Sequence, residues 1–209
     1  MIVIRKLILR WRFWLLLGVW ALPALAAGEE PPLTGNGRRF LLGIEYLHPT
    51  EEDRNIRTVN LDGFIRLPQG PFVNFSVYVG LTLTHATGDI TQLEGDLQQG
   101  TLREVNYASR ATGIGPGVLA DWRLIHRRRL SLHLAGCSNL MLYDRDFPAG
   151  GDRYNFMWRG GPWLKFHLTD AHEIGLAWRW MHLSNGQGPG PQNPSYDAQG
   201  LSITYALRF

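Results

Sequence analysis

The chain has 209 residues, a formal charge of +3, 44% hydrophobic residues and a single cysteine. Four of its 21 basic residues and none of its 18 acidic ones fall in the first twelve positions, which leaves 17 against 18 for the rest. That balance excludes a nucleic-acid surface built on net charge, and a lone cysteine, Cys137, excludes an internal disulfide.

The first segment, Met1 to Ala27, reads as a secretory signal peptide. Arg5, Lys6, Arg10 and Arg12 precede an apolar run from Phe13 to Leu22, and Ala24-Leu25-Ala26 has the small–x–small form of a processing site. The apolar run is short for a membrane-spanning helix. Residues 28–209 then form one domain, and no later run of about 20 apolar residues offers a transmembrane helix.

What recurs instead is alternation with a period of two. It is clearest from Phe72 to His85, where Val73, Phe75, Val77, Val79, Leu81 and Leu83 share one face and Asn74, Ser76, Thr82 and Thr84 share the other. Alternate residues of a strand lie on one face, and a run this long suits a tilted strand crossing a bilayer. Eight such segments follow one another: about Phe40–His48, Ile56–Leu67, Phe72–His85, Glu104–Ile125 (interrupted by GIGPG, Gly113–Gly117), Arg129–Leu142, Arg153–His167, Glu173–Asn185 and Asp197–Phe209. The connections alternate in length. Those at Pro68–Pro71, His126–Arg128 and Leu168–His172 are short, and those at Ala86–Arg103, Tyr143–Asp152 and Gly186–Tyr196 are long.

This pattern predicts an all-β fold, an eight-stranded antiparallel transmembrane β-barrel of the Gram-negative outer membrane, with short periplasmic turns and long extracellular loops. Closing the sheet gives every backbone polar group a partner in lipid. The faces opposite the apolar ones carry Glu45, Asn60, Asp62, Arg66, Asn74, Arg123, Asn139, Arg159, Lys165, Glu173 and Arg179. In a barrel of eight strands these fill the interior and pair there, so no pore is expected. Cys137 also has interior parity. The last strand ends on Phe209, a C-terminal aromatic of the kind read by the outer-membrane assembly machinery, an expected partner. A soluble barrel of lipocalin type, with its apolar face inward, is the competing fold.

Chemistry gathers in the last hairpin. His182 and Ser184 share the face of Ile174, Leu176, Trp178 and Trp180, and Asp197 opens the final strand on its outward parity. A serine needs a base to attack an ester, and the base needs a carboxylate to hold its tautomer. Ser184, His182 and Asp197 are therefore candidates for nucleophile, base and acid. Asn185, or backbone N–H groups of the glycine-rich loop, would receive the oxyanion. Trp178 and Trp180 lie below the pair and are candidate acyl-chain contacts, or else belt aromatics at the lipid interface. The other histidines (48, 85, 126, 133, 167 and 172) show no metal-ligand spacing, so neither metal nor other cofactor is expected.

The segment His182-Leu183-Ser184-Asn185-Gly186, followed by Asn193-Pro194 and an acid at 197, resembles the C-terminal signature of the lipid A 3-O-deacylases, the PagL family of outer-membrane esterases. The resemblance implies hydrolysis of the ester-linked 3-position acyl chain of lipid A in lipopolysaccharide. It implies Ser184 as nucleophile, His182 as base, Asp197 as acid (where the family has Glu) and Asn185 in the oxyanion hole. Arg103, Arg145 and Arg153 are candidates by location for its phosphates. His-x-Ser-Asn-Gly also resembles the larger, calcium-dependent outer-membrane phospholipases A, in which Asn193 would take the third role. A non-enzymatic structural or adhesive barrel remains the third reading, and monomer and homodimer both stay open.

Overall fold

The computed structural model describes residues 38–68, 74–95, 101–186 and 194–209. The expected signal peptide, the first residues of the expected third strand and Asn193 lie outside the described residues. Eight strands follow in chain order: β1 Arg39–Pro49, β2 Arg54–Arg66, β3 Phe75–Glu94, β4 Arg103–Arg127, β5 Leu130–Tyr143, β6 Tyr154–His167, β7 His172–Ser184 and β8 Tyr196–Arg208. Each pairs antiparallel with its neighbour in sequence, and β1 pairs with β8 from Arg39↔Arg208 to Pro49↔Ala198, so the sheet closes.

The expected facing holds on every strand. Leu42, Ile44, Leu61, Leu81, Ile114, Leu140, Trp158 and Ile203 stand exposed on the outside. Their intervening neighbours, among them Glu45, Asn60, Thr82, Asn139, Arg159 and Arg179, are buried in the lumen. A continuous apolar exterior of this extent has no stable place in water; around a polar interior it is the wall of a membrane barrel. Short connections (Arg128–Arg129, Leu168–Ala171), the start of β1 and the end of β8 lie at one end, the periplasmic one.

Strand tilt is legible in the pairing. The row Leu176–Ile203–Ile44–Leu61–Leu83–Ile114–Leu142–Tyr154 starts near the periplasmic end of β7 and finishes at the extracellular end of β6. Rows of partners therefore climb in the direction β1 to β6.

The lumen is filled in tiers. Near the extracellular end Leu47, Ile56, Met141, Met157, Met181, Leu183 and Tyr196 form an apolar cluster, into which the β5–β6 loop inserts Phe147. Below it Arg159 binds Glu45 at 3.1 Å and Asp62 at 2.9 Å. Deeper, Lys165 binds Asp121 at 2.6 Å beneath the Trp163 ring. Gly175 on β7 makes room for Trp163: a Cβ there would strike the indole Nε1 and the Thr204 hydroxyl that accepts its hydrogen bond. Gly175→Leu is expected to overpack the lumen and cost about 1–3 kcal/mol, read as a lower urea midpoint of unfolding from micelles.

Three expectations change. The loop expected at Ala86–Arg103 is mostly ladder, because β3 and β4 stay paired out to Glu94↔Arg103. Above the bilayer neither face of that hairpin meets lipid, so its alternation fades while its hydrogen bonds continue. GIGPG does not interrupt the fourth strand; β4 runs through it, and only the β4–β5 ladder skips Gly115 and Pro116, the latter having no N–H to give. Asn74 and Arg123 keep the lumen parity but are not buried inside: Arg123, register partner of the buried His133, donates to Asn74 Oδ1 at 2.9 Å in an exposed pair at the periplasmic mouth.

Candidate active site

The β6–β7 turn is short, so the register of these strands is set by symmetric pairing about Asp170. Phe166 faces Ile174, Trp158 faces His182 and Phe156 faces Ser184. On the other side His182 is the direct partner of Asp197. Outward parity on all three strands brings these side chains together on the outer wall near the extracellular rim.

His182 Nδ1 and Asp197 Oδ1 are 2.6 Å apart, with side chains 36% and 28% exposed. The short bond fixes the imidazole with Nδ1–H toward the carboxylate and leaves Nε2 for a second partner. Ser184 stands two positions along β7 on the same face. Among the described residues no hydrogen bond joins its hydroxyl to His182. Trp180 stacks on His182, with ring centroids 6.5 Å apart and planes inclined by 21°. Trp178 lies one step lower on the same face, exposed.

The backbone of Asp197 is held from the β1–β2 turn. Thr50 donates to the Asp197 carbonyl from its backbone N at 3.0 Å and from Oγ1 at 3.2 Å. Arg54 donates to Ser195 Oγ at 3.2 Å and pairs with Glu51 at 3.4 Å. Partial burial, opposed by the Arg54 guanidinium, holds the Glu51 carboxyl above the usual carboxylate range.

Asn185 has a different occupation from the one expected. Its side chain is 2% exposed, turned away from the outer wall, and its Nδ2 donates to Asp152 Oδ2 of the β5–β6 loop at 3.0 Å. That bond engages the amide expected to receive an oxyanion at Ser184. Gly186 follows with φ +70° against the Phe156 ring, a left-handed turn that glycine adopts without strain. The expected phosphate contacts are also engaged: Arg103 pairs with Glu94 at 3.7 Å, Arg145 with Asp144 at 3.2 Å, and Arg153 donates to the Asp144 carbonyl.

Phe156 and Trp158 were legible as apolar-face residues but not as neighbours of the pair. Counting outward from the turn at Asp170 places them there.

The lumen holds a second chain of the same residue types. Asp121 Oδ1 lies 2.7 Å from His133 Nδ1, and His133 Nε2 lies 2.9 Å from Ser131 Oγ. Ser131 is 1% exposed and also meets His167 Nε2 at 2.9 Å, so this chain is part of the plug. What separates the two is access, since only His182 and Asp197 open onto lipid.

The chain is an eight-stranded outer-membrane barrel. No protein-family model and no curated protein matches it. Among solved structures it is similar to Neisserial surface protein A (NspA), with 9% identity over 83% of this chain and 96% of that one, TM-score 0.48. It is similar to the outer membrane enzyme PagL, with 11% identity over 82% and 99%, TM-score 0.46. It is also similar to outer membrane protein AlkL, with 13% identity over 90% and 95%, TM-score 0.38. The barrel itself rests on its own strand pairing.

Proposed function

We propose that this barrel is a serine esterase of the outer leaflet that removes the ester-linked 3-position acyl chain of lipid A. The observation that carries the reading is the 2.6 Å bond between His182 and Asp197 on a wall that faces lipid. A hydrogen-bonded histidine–carboxylate couple on a lipid-facing surface is costly to keep, which favours a working role for it there. Its height near the extracellular rim is where acyl esters of the outer leaflet lie, and that leaflet is lipopolysaccharide. The segment from His182 to Gly186 agrees with the deacylase resemblance.

In this reading Ser184 Oγ attacks the ester carbonyl carbon while His182 Nε2 takes its proton. Asp197 stabilises the imidazolium. The carbonyl oxygen becomes an oxyanion, received by backbone N–H groups of the Asn185–Gly186 turn. The intermediate collapses, His182 returns the proton to the sugar oxygen, and the acyl group stays on Ser184. Water, deprotonated by His182, then attacks the acyl-enzyme carbonyl; the bond to Ser184 Oγ breaks as His182 returns the proton to that oxygen, and the fatty acid leaves. Trp158, Trp178 and Trp180 line the wall below and offer the acyl chain aromatic surface.

The test is the mass of lipid A from a Gram-negative host expressing the full chain. Loss of one 3-linked hydroxyacyl group is expected. Unchanged lipid A with assembled barrel in the membrane would overturn the reading.

Asp152 acts through Asn185 and is a positioning residue. Asp152→Ala is expected to lower kcat about tenfold by loosening the turn after the nucleophile, with KM held. A steady-state kcat and KM measurement checks it.

A further inference from the structure

We propose that the outer wall formed by β2, β3 and β4, away from the His182 seam, binds the phosphorylated headgroup of a lipid in the extracellular leaflet through Arg57 and Arg110. Arg57 pairs in register with Thr87, and Thr87 with Arg110, so the two arginines lie on one row, two strands apart. Two strand spacings are about 10 Å. All three residues have outward parity and are exposed.

Neither arginine has a hydrogen-bond or ion-pair partner among the described residues, whereas Arg54, Arg103 and Arg145 at the same end each face a carboxylate. The outward carboxylate nearest in register is Asp89, one step nearer solvent on β3, and no ion pair joins it to either arginine.

Beneath the arginines the wall changes in two steps. The next row down is Val59, His85 and Thr112, with His85 Nδ1 and Thr112 Oγ1 2.9 Å apart. Below that come Leu61, Leu83 and Ile114, all exposed apolar side chains. From the rim inward the order is cation, hydrogen-bonding group, hydrocarbon. That is the polarity profile of a lipid standing against the wall. A guanidinium presents a planar fork that fits phosphate oxygens in pairs, and the spacing with only Thr87 between suits a headgroup carrying two phosphates.

The experiment uses the full chain in zwitterionic micelles with Ser184→Ala in every sample, so that no ligand is consumed. Native mass spectrometry measures binding of diphosphorylated lipid A and of the same lipid after phosphatase treatment. Arg57→Gln and Arg110→Gln are each expected to weaken binding of the phosphorylated lipid about tenfold, and the double variant more. The dephosphorylated lipid should bind all forms alike, and millimolar inorganic phosphate should not compete. Equal binding by the double variant, at unchanged heat-modified gel mobility, overturns the proposal. Full competition by inorganic phosphate overturns its lipid character. Neither outcome bears on the esterase, which is read separately from lipid A mass with Ser184 intact.

Discussion

Ser184→Ala and His182→Ala are each expected to reduce deacylation by at least about 10³-fold, to a level set by binding and backbone donors alone. The two losses should not add, because nucleophile and base act as one unit. Asp197→Asn separates geometry from charge. It preserves shape but offers the wrong partner to His182 Nδ1, where the carboxylate lies at 2.6 Å, and a fall of about 10²- to 10⁴-fold is expected. Ser131→Ala is the matched control. It removes the hydroxyl of the sealed chain inside the lumen, and deacylation should be unchanged. Mass spectrometry of lipid A, with barrel abundance read by heat-modified mobility, measures all four. Full activity in Ser184→Ala would remove the proposed mechanism.

Arg159→Met is expected to destabilise the barrel by about 3 kcal/mol, because it leaves the lumen carboxylate of Asp62 without its counter-ion and removes the hydrogen bonds that tie Glu45, Thr82 and Asn139 together. Arg159 Nη1 donates to Glu45 at 3.1 Å and Asp62 at 2.9 Å, and Nη2 donates to Asp62, Thr82 and Asn139 at 2.9, 3.0 and 3.1 Å. Glu45 keeps Arg179 at 3.7 Å and the Asn60 amide at 2.7 Å, but Asp62 loses its only ion pair among the described residues. Adding Asp62→Asn to Arg159→Met should recover much of the loss, since the neutral amide carries a smaller desolvation cost while Glu45 stays charged opposite Arg179. Urea titration from micelles reads both. A single variant as stable as wild type would show that the charges are screened by water in the lumen.

The barrel was legible because membrane strands must alternate. Leu61, Ile65, Asn60 and Phe64 declare their faces without any neighbour being known. Alternation failed where the bilayer stops: beyond Ile90, which still faces the lumen cluster, only the hydrogen-bond ladder to Arg103–Asn106 defines the strand. The site was legible in part. His182 and Ser184 share a face by spacing alone, and the outward parity of Asp197 follows from Leu201 and Ile203. The pairing of His182 with Asp197 spans a long Gly/Pro loop across which register is not countable. The setting of Asn185 was not legible, because its neighbour Ser184 is the last strand residue, and its amide's partner, Asp152, comes from a loop remote in sequence.

The mid-lumen ion cluster imposes an order on assembly. Glu45 and Asp62 arrive with the first hairpin, whereas Arg159 and Arg179, which neutralise them, belong to the sixth and seventh strands. A nascent sheet that has reached only its midpoint thus carries acids with no mate and has every reason to stay wet. Entry into the bilayer becomes favourable only once the late strands deliver their guanidiniums. The His182–Asp197 pair at the rim, built from the last two strands, is likewise completed only when those strands are in place.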